Sequence, residues 1–476
     1  MSAPATAVEL VTAIRRGTRS PVAVVEDCLD RIAERDGTVN AFVTVLEDEA
    51  LDRARAAEQA VESGRSLGPL HGVPVAIKDA YAYKAGVPNT FGSRAMTDFV
   101  PESSAPLVER LEAAGAIIVG KTNTPEFASK GVTDNGLVGR TKNPFDPERH
   151  PNGSSGGSAA AVASGMVPLA QGSDHAGSIR GPASACNLVG VFPSPGRVPQ
   201  GFRPDAFKYD LPYVSSGPLA RTVTDAALFL NVVAGPDPSE PYSLPDTVDF
   251  TDAVSDSIAE ASIAYSPEFA GFHVSEAVRD VVGSAAESFE QVGARVSRVD
   301  PAVDDWDAPH RALTAGLEVL FASFAEDMLA EHDIDLLARR EQIDPHVVDR
   351  IEAGYEYDAV SYKQSNVART AVFDALQSVF ETHDFLLTPT VAVPPIRADA
   401  GPPDTVDGHR LKRAHDLVLT WPVNLTGHPA ASVPAGLVDG LPVGMQIIGP
   451  RFDDRAVLAA AATVEDVRPW DGHYPN

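Results

Sequence analysis

Cysteine is nearly absent: Cys28 and Cys186 are the only two in 476 residues. One falls on a predicted helix and the other beside a serine-rich loop, so neither a disulfide framework nor a CxxC metal motif can be built. None of the 12 histidines sits in an HExxH pattern or pairs with a second ligand at zinc-like spacing, and no metal or cofactor is expected. Long apolar runs are missing as well. No stretch approaches the ~20 residues needed to span a bilayer, and residues 1–16 lack a basic segment followed by an apolar one. A membrane role is excluded, and a cytoplasmic location is the expectation.

Lysine is scarce too. Lys78, Lys84, Lys121, Lys130, Lys142, Lys208, Lys363 and Lys412 are the only lysines, every other base being arginine. Against 38 basic residues stand 66 acidic ones, a formal net charge of −28. Such a charge repels polyanions, which excludes direct nucleic-acid binding through a basic face. Lysine-poor, aspartate-rich surfaces resemble those of proteins from salt-loving organisms, where ionic strength screens self-repulsion. The competing reading is an ordinary acidic enzyme.

With 44% hydrophobic and 22% charged residues, the chain is of the globular class. Its length alone suggests about three domains, but no internal repeat or clean linker divides it. Residues 5–63 read as helical, with Ala7, Leu10, Val11 and Ile14, then Val22, Val25, Cys28, Leu29 and Ile32, forming apolar stripes of helical period. Ser20-Pro21 has the form of a cap followed by proline at the first helical position. The run Val73-Pro74-Val75-Ala76-Ile77 reads as a buried strand that ends in Lys78. There desolvation would lower the lysine pKa toward neutrality and make it a base; the alternative is that it snorkels to solvent.

Helix and strand alternate from Pro106 to Gly120, the sign of a layered α/β protein. Val223–Val233 reads as a helix, and 237–251 as a surface connection. Beyond it come short strands near Ile263 and over Val296–Val299, with helices around 274–292, 307–333 and 355–382. Trp421-Pro422-Val423-Asn424, Ser432-Val433-Pro434 and Val443–Gly449 give strand or loop signals, and Arg455–Val464 a closing helix.

The densest chemistry lies between Asn152 and Arg180. Two loops, Asn152-Gly153-Ser154-Ser155-Gly156-Gly157-Ser158 and Ser173-Asp174-His175-Ala176-Gly177-Ser178, bracket a small-residue segment. Hydroxyls on a glycine-rich backbone suit acyl transfer, because glycine lets amide N–H groups converge on a developing oxyanion. Gly153-x-Ser155-x-Gly157 formally matches a nucleophile elbow, but that motif must follow a strand. Here it follows the proline-rich stretch 143–151, which cannot be a central strand.

Val75-Ala76-Ile77-Lys78-Asp79, Gly120-Lys121-Thr122-Asn123, the run from Gly153 to Ala161, and Asp174 to Pro182 together resemble the amidase signature family. The resemblance implies a single domain over 1–476 with a three-layer α/β/α fold and a large mixed central sheet. Within it, 1–65 would be a helical collar, 68–235 the catalytic core, 236–385 a helical, substrate-facing region, and 386–476 a return to the sheet. It implies a Ser–Ser–Lys triad in which Ser178 is the nucleophile, Ser154 the bridging serine at a cis peptide, and Lys78 the base. The backbone amides of His175, Ala176, Gly177 and Ser178 would hold the oxyanion, with His175 lining the pocket and Ser155, Asp174 and Arg180 as supports. Asn152, Ser173 and His175-Ala176 depart from the usual pattern. The expected activity is hydrolysis of a linear carboxylic amide to acid plus ammonia or amine. The expected partner is a small amide, with a homodimer as the candidate assembly. Two alternatives stand beside it: the glutaminase subunit of a tRNA-dependent amidotransferase, whose glutamine-recognition segment has no clear counterpart around Arg350–Arg369, and a non-catalytic scaffold.

Overall fold

Local rules set the first elements. Thr6 and Glu9 form a reciprocal capping box at the start of helix Ala7–Arg15, and Ser20 Oγ accepts from the Val22 and Ala23 amides to open helix Pro21–Val39 with Pro21 in its first turn. The first helix buries the expected stripe, Ala7, Leu10, Val11 and Ile14, while the second buries Val25, Cys28 and Ile32 of its expected stripe together with Val24, leaving Val22 and Leu29 only partly buried. The computed structural model describes residues 4–208 and 211–475.

The strands in chain order are β1 (Phe42–Val45), β2 (Pro74–Lys78), β3 (Ile117–Thr122), β4 (Leu169–Asp174), β5 (Val189–Phe192), β6 (Ser215–Ala220), β7 (Ser262–Tyr265), β8 (Arg295–Arg298), β9 (Phe385–Pro389), β10 (Thr405–Val406), β11 (His409–Arg410), β12 (Ala430–Val438) and β13 (Leu441–Ile448). β10 and β11 form a small ribbon; the other strands make one 11-stranded sheet in the order β1-β3-β2-β4-β6-β5-β12-β13-β9-β7-β8. Pairs β2–β3, β2–β4, β7–β8 and β7–β9 are parallel and the rest antiparallel. The fold is therefore α/β with a large mixed sheet.

Alternate side chains of the central strands enter two different cores. Val75, Ile77, Ile118, Leu169 and Ala220 join the larger cluster on one face, while Ala76, Ile117, Val119, Ala170 and Leu219 pack with helix Gly156–Ala163 on the other. Burial on both faces explains why β2 and the start of β3 read as continuous apolar runs. Because β12 and β13 lie mid-sheet beside β5, the C-terminal part of the chain completes the sheet begun by the N-terminal part.

Two expectations are corrected. The collar is not helical throughout 5–63: β1 interrupts it and pairs antiparallel with β3 at the sheet edge, its β-branched Val43-Thr44-Val45 favouring extended backbone. The segment at Trp421 is a helix, Trp421–Thr426, with Pro422 in its first turn where no N–H is needed. Among the described residues no helix is long and apolar enough to cross a membrane, and no group of three or more His, Cys, Asp or Glu is placed to hold a metal ion.

Candidate active site

Parallel pairing of β2 with β4, Val75 opposite Leu169 and Ala76 opposite Ala170, brings the C-terminal ends of both strands side by side. Lys78 ends β2 fully buried, which removes the snorkelling alternative. Its backbone N–H donates to Gln171 Oε1 at 3.1 Å, and its Nζ lies 2.7 Å from Ser154 Oγ and 3.1 Å from Ser173 Oγ. Burial pulls the ammonium pKa from 10.5 down to about 7, with Asp174 opposing the shift. A large neutral fraction at physiological pH follows.

The peptide bond between Gly153 and Ser154 is cis. Ser155 N–H donates to Ser178 O at 3.1 Å, tying the two serine loops together, while Ser155 Oγ lies 3.2 Å from Ser173 O and 3.3 Å from Ser173 N. Ser158 Oγ donates to Gln171 O at 2.8 Å. Gly157 must be glycine: a Cβ there would lie 2.4 Å from Asn123 N. No strand leads into this loop, so the nucleophile-elbow arrangement is absent.

The second loop is built around Asp174. Its carboxylate accepts from the Gly177 amide at 2.7 Å and the Ile179 amide at 3.1 Å, and pairs with Arg180 at 3.0 Å. Burial alone would raise its pKa, but Arg180, Asn424 and the Gly177 amide hold it down at about 2. Arg180 is in turn fixed by Thr420 O (3.1 Å), Gln446 Oε1 (2.6 Å) and Asn424 Oδ1 (2.6 Å). Gly177 has φ +111°, and a Cβ on it would sit 1.8 Å from Thr420 Oγ1. Ala176 is not among the residues with positive φ, so alanine in place of glycine there brings no left-handed strain.

Ser178 is only partly buried and opens onto a cavity of about 390 Å³. The hydroxyl of Ser154 meets Lys78, whereas Ser178 Oγ makes no hydrogen bond among the described residues. The cavity wall is largely apolar, including Tyr81, Phe127, Leu317, Phe321 and Phe324; its polar members include Lys130, His150, Asn152, His175, His346, Arg350 and His415, and no aspartate or glutamate lines it. His175 meets Tyr81 edge-on at 5.4 Å. Burial and the neighbouring Lys78 lower its pKa to about 3.

The sequence profile of the amidase family matches residues 23–458. The chain belongs to the amidase signature family. Among its relatives, the acylamidase of Rhodococcus erythropolis is 34% identical over 98% of this chain and 96% of that protein. A glutamyl-tRNA(Gln) amidotransferase subunit of Chloroflexus aurantiacus is 37% identical over 98% of this chain and 96% of that protein. The crystal structure of a bacterial aryl acylamidase superposes with a TM-score of 0.95 at 36% identity, covering 99% of this chain and 98% of the other. Amide hydrolysis at a carbon–nitrogen bond is thereby the activity class.

Within this amidase, sequence reasoning missed Ser173 as a Lys78 partner, and missed Gln171, Thr420, Asn424 and Gln446 as the frame of the loops. Ser173 carried a signal, since it opens the second serine loop one residue before Asp174. Thr420, Asn424 and Gln446 lie some 240 residues or more from their partners (|i−j| 240 to 266), a separation that no local pattern bridges.

Proposed function

We propose that this amidase works as a single chain on linear carboxylic amides, with acyl amides bearing an apolar or aromatic group as its preferred class. The observation that carries the reading is the apolar, acid-free cavity onto which Ser178 opens, beside the buried Lys78–Ser154 contact. In this mechanism neutral Lys78 takes a proton from Ser154, which takes one from Ser178 as its Oγ attacks the carbonyl. The leaving amine is protonated by the reverse route, and water cleaves the acyl-enzyme ester. The amides of His175, Ala176 and Ser178 hold the oxyanion, a good donor being worth roughly 3 kcal/mol. The Gly177 amide, expected in that set, is engaged by Asp174 and instead keeps the loop in shape.

A glutaminase-subunit reading is favoured by one observation: Arg350 lines the cavity, where its guanidinium could meet a carboxylate. Glutamine also carries an α-ammonium, however, and no acidic side chain lines the wall to receive it. The intact Lys78–Ser154 contact weighs against a non-catalytic scaffold. The test is release of amine or ammonia from acylated anilines, aliphatic amides and glutamine by the purified chain. Turnover of acylated anilines well above glutamine is the expected result; glutamine as the sole substrate would overturn it.

A further inference from the structure

The cavity holds a second polar station that acyl transfer does not use. His415 lines it, with Nδ1 2.9 Å from Nε2 of His310. His310 is held edge-on against the fully buried Trp421, ring centroids 5.8 Å apart and planes at 85°. One hydrogen joins the two imidazoles, so their tautomers are coupled. When His310 donates, His415 carries its own hydrogen on Nε2; when His415 donates through Nδ1, its Nε2 is an acceptor. Among the described residues Nε2 of His415 makes no hydrogen bond. Both rings stay neutral near pH 7: burial, then His310, Arg350, Arg413 and His346, lower His415 to about 3, and burial with Arg413 and Arg350, against Asp416 and Asp307, lowers His310 to about 4.

We propose that His415, hydrogen-bonded to His310, is a specificity-determining residue that receives a neutral hydroxyl substituent of the amide substrate. A hydroxyl both donates and accepts, so it pairs with Nε2 in either tautomeric arrangement, whereas a carbonyl or an ammonium satisfies only one. A neutral ring brings no charge of its own, so the group it receives needs no counter-charge. The inference rests on the amide-hydrolase reading above and names a feature of its substrate.

The test separates binding from turnover. Acetanilides carrying either a hydroxyl or a methyl at the ortho, meta or para position are titrated by calorimetry into the Ser178→Ala variant. At one position the hydroxyl compound is expected to bind about ten-fold tighter than its methyl partner, the size of one neutral hydrogen bond. Adding His415→Leu should bring that ratio within about two-fold, while His415→Gln, which keeps a donor and an acceptor, should retain most of it. His415→Phe, which keeps a ring in the site and removes both nitrogens, should likewise bring the ratio within about two-fold and serves if His415→Leu fails to fold. No hydroxyl preference at any position, no binding at all, or a preference that survives His415→Leu would overturn the proposal. Turnover of the same compounds by the unaltered chain is read separately: a hydroxyl preference in binding without turnover would leave His415 assigned and remove acyl amide hydrolysis.

Discussion

Lys78 lies within hydrogen-bonding distance of two serine hydroxyls, with its charged form disfavoured by burial. If its neutral amine is the base, kcat/KM should rise about ten-fold per pH unit below about 7 and level off above it. Lys78→Arg should lose at least about 10²–10⁴-fold, because guanidinium does not deprotonate in this range; near-normal turnover would remove lysine from the mechanism. The same shift affects stability. Between the folded value of about 7 and the unfolded value near ~10.4, the unfolded chain binds the extra proton. Stability from this site therefore rises with pH across that window, and the penalty is largest below it. Lys78→Met should accordingly stabilise the chain at pH 7 by on the order of 1 kcal/mol or more, as read by urea unfolding. His175 is neutral across the working range, so His175→Ala should raise KM more than it lowers kcat; a collapse of kcat with KM unchanged would bring the imidazole into the chemistry.

The loop from Asp174 to Arg180 works as one element, its amides gathered by a single carboxylate and its arginine anchored on the Thr420–Asn424 segment and β13. Arg180→Met should destabilise by about 3–5 kcal/mol, since it leaves Asp174 buried without its counter-charge. Asp174, held at about 2, contributes stability above the unfolded carboxylate value of ~3.9 that is lost as pH falls toward 2. Gly177→Ala should abolish turnover, because its Cβ would lie 1.8 Å from the Thr420 Oγ1 that donates to Ala176 O, and 2.8 Å from Thr420 Cβ, which no side-chain rotation moves. The stretch that holds Ser154 and Ser178 stood out in the sequence by its density of serine and glycine, while the separate roles proposed for the two serines rest on the family resemblance. Helix Val223–Val233 was legible from its period, and β2 from its apolar run. β4 was not: Gln171, Gly172, Ser173 and Asp174 are polar or small yet fully buried, so no hydrophobic pattern marks it. The order of the strands was hidden too, since β2–β4 and β5–β12 pairings join distant stretches of chain.

At the scale of the whole molecule, a net charge of −28 is spread over a surface where carboxylates far outnumber their basic partners. Screening should therefore raise the melting temperature by several degrees between roughly 0.1 M and molar salt, the Debye length falling from about 10 Å to about 3 Å. A melting temperature indifferent to salt would mark an ordinary acidic enzyme. That the same chain builds one sheet from both its ends, and that Ser178 opens onto the cavity while Lys78 meets Ser154 in the core, leads to the proposal at the centre of this account, that Ser178 carries the acyl group. The direct measurement is mass spectrometry of the full chain trapped with a slow aryl ester or a phosphonate, followed by peptide mapping. The account predicts one adduct, on Ser178, absent from Ser178→Ala; an adduct on Ser155, or turnover that persists in Ser178→Ala, would contradict it.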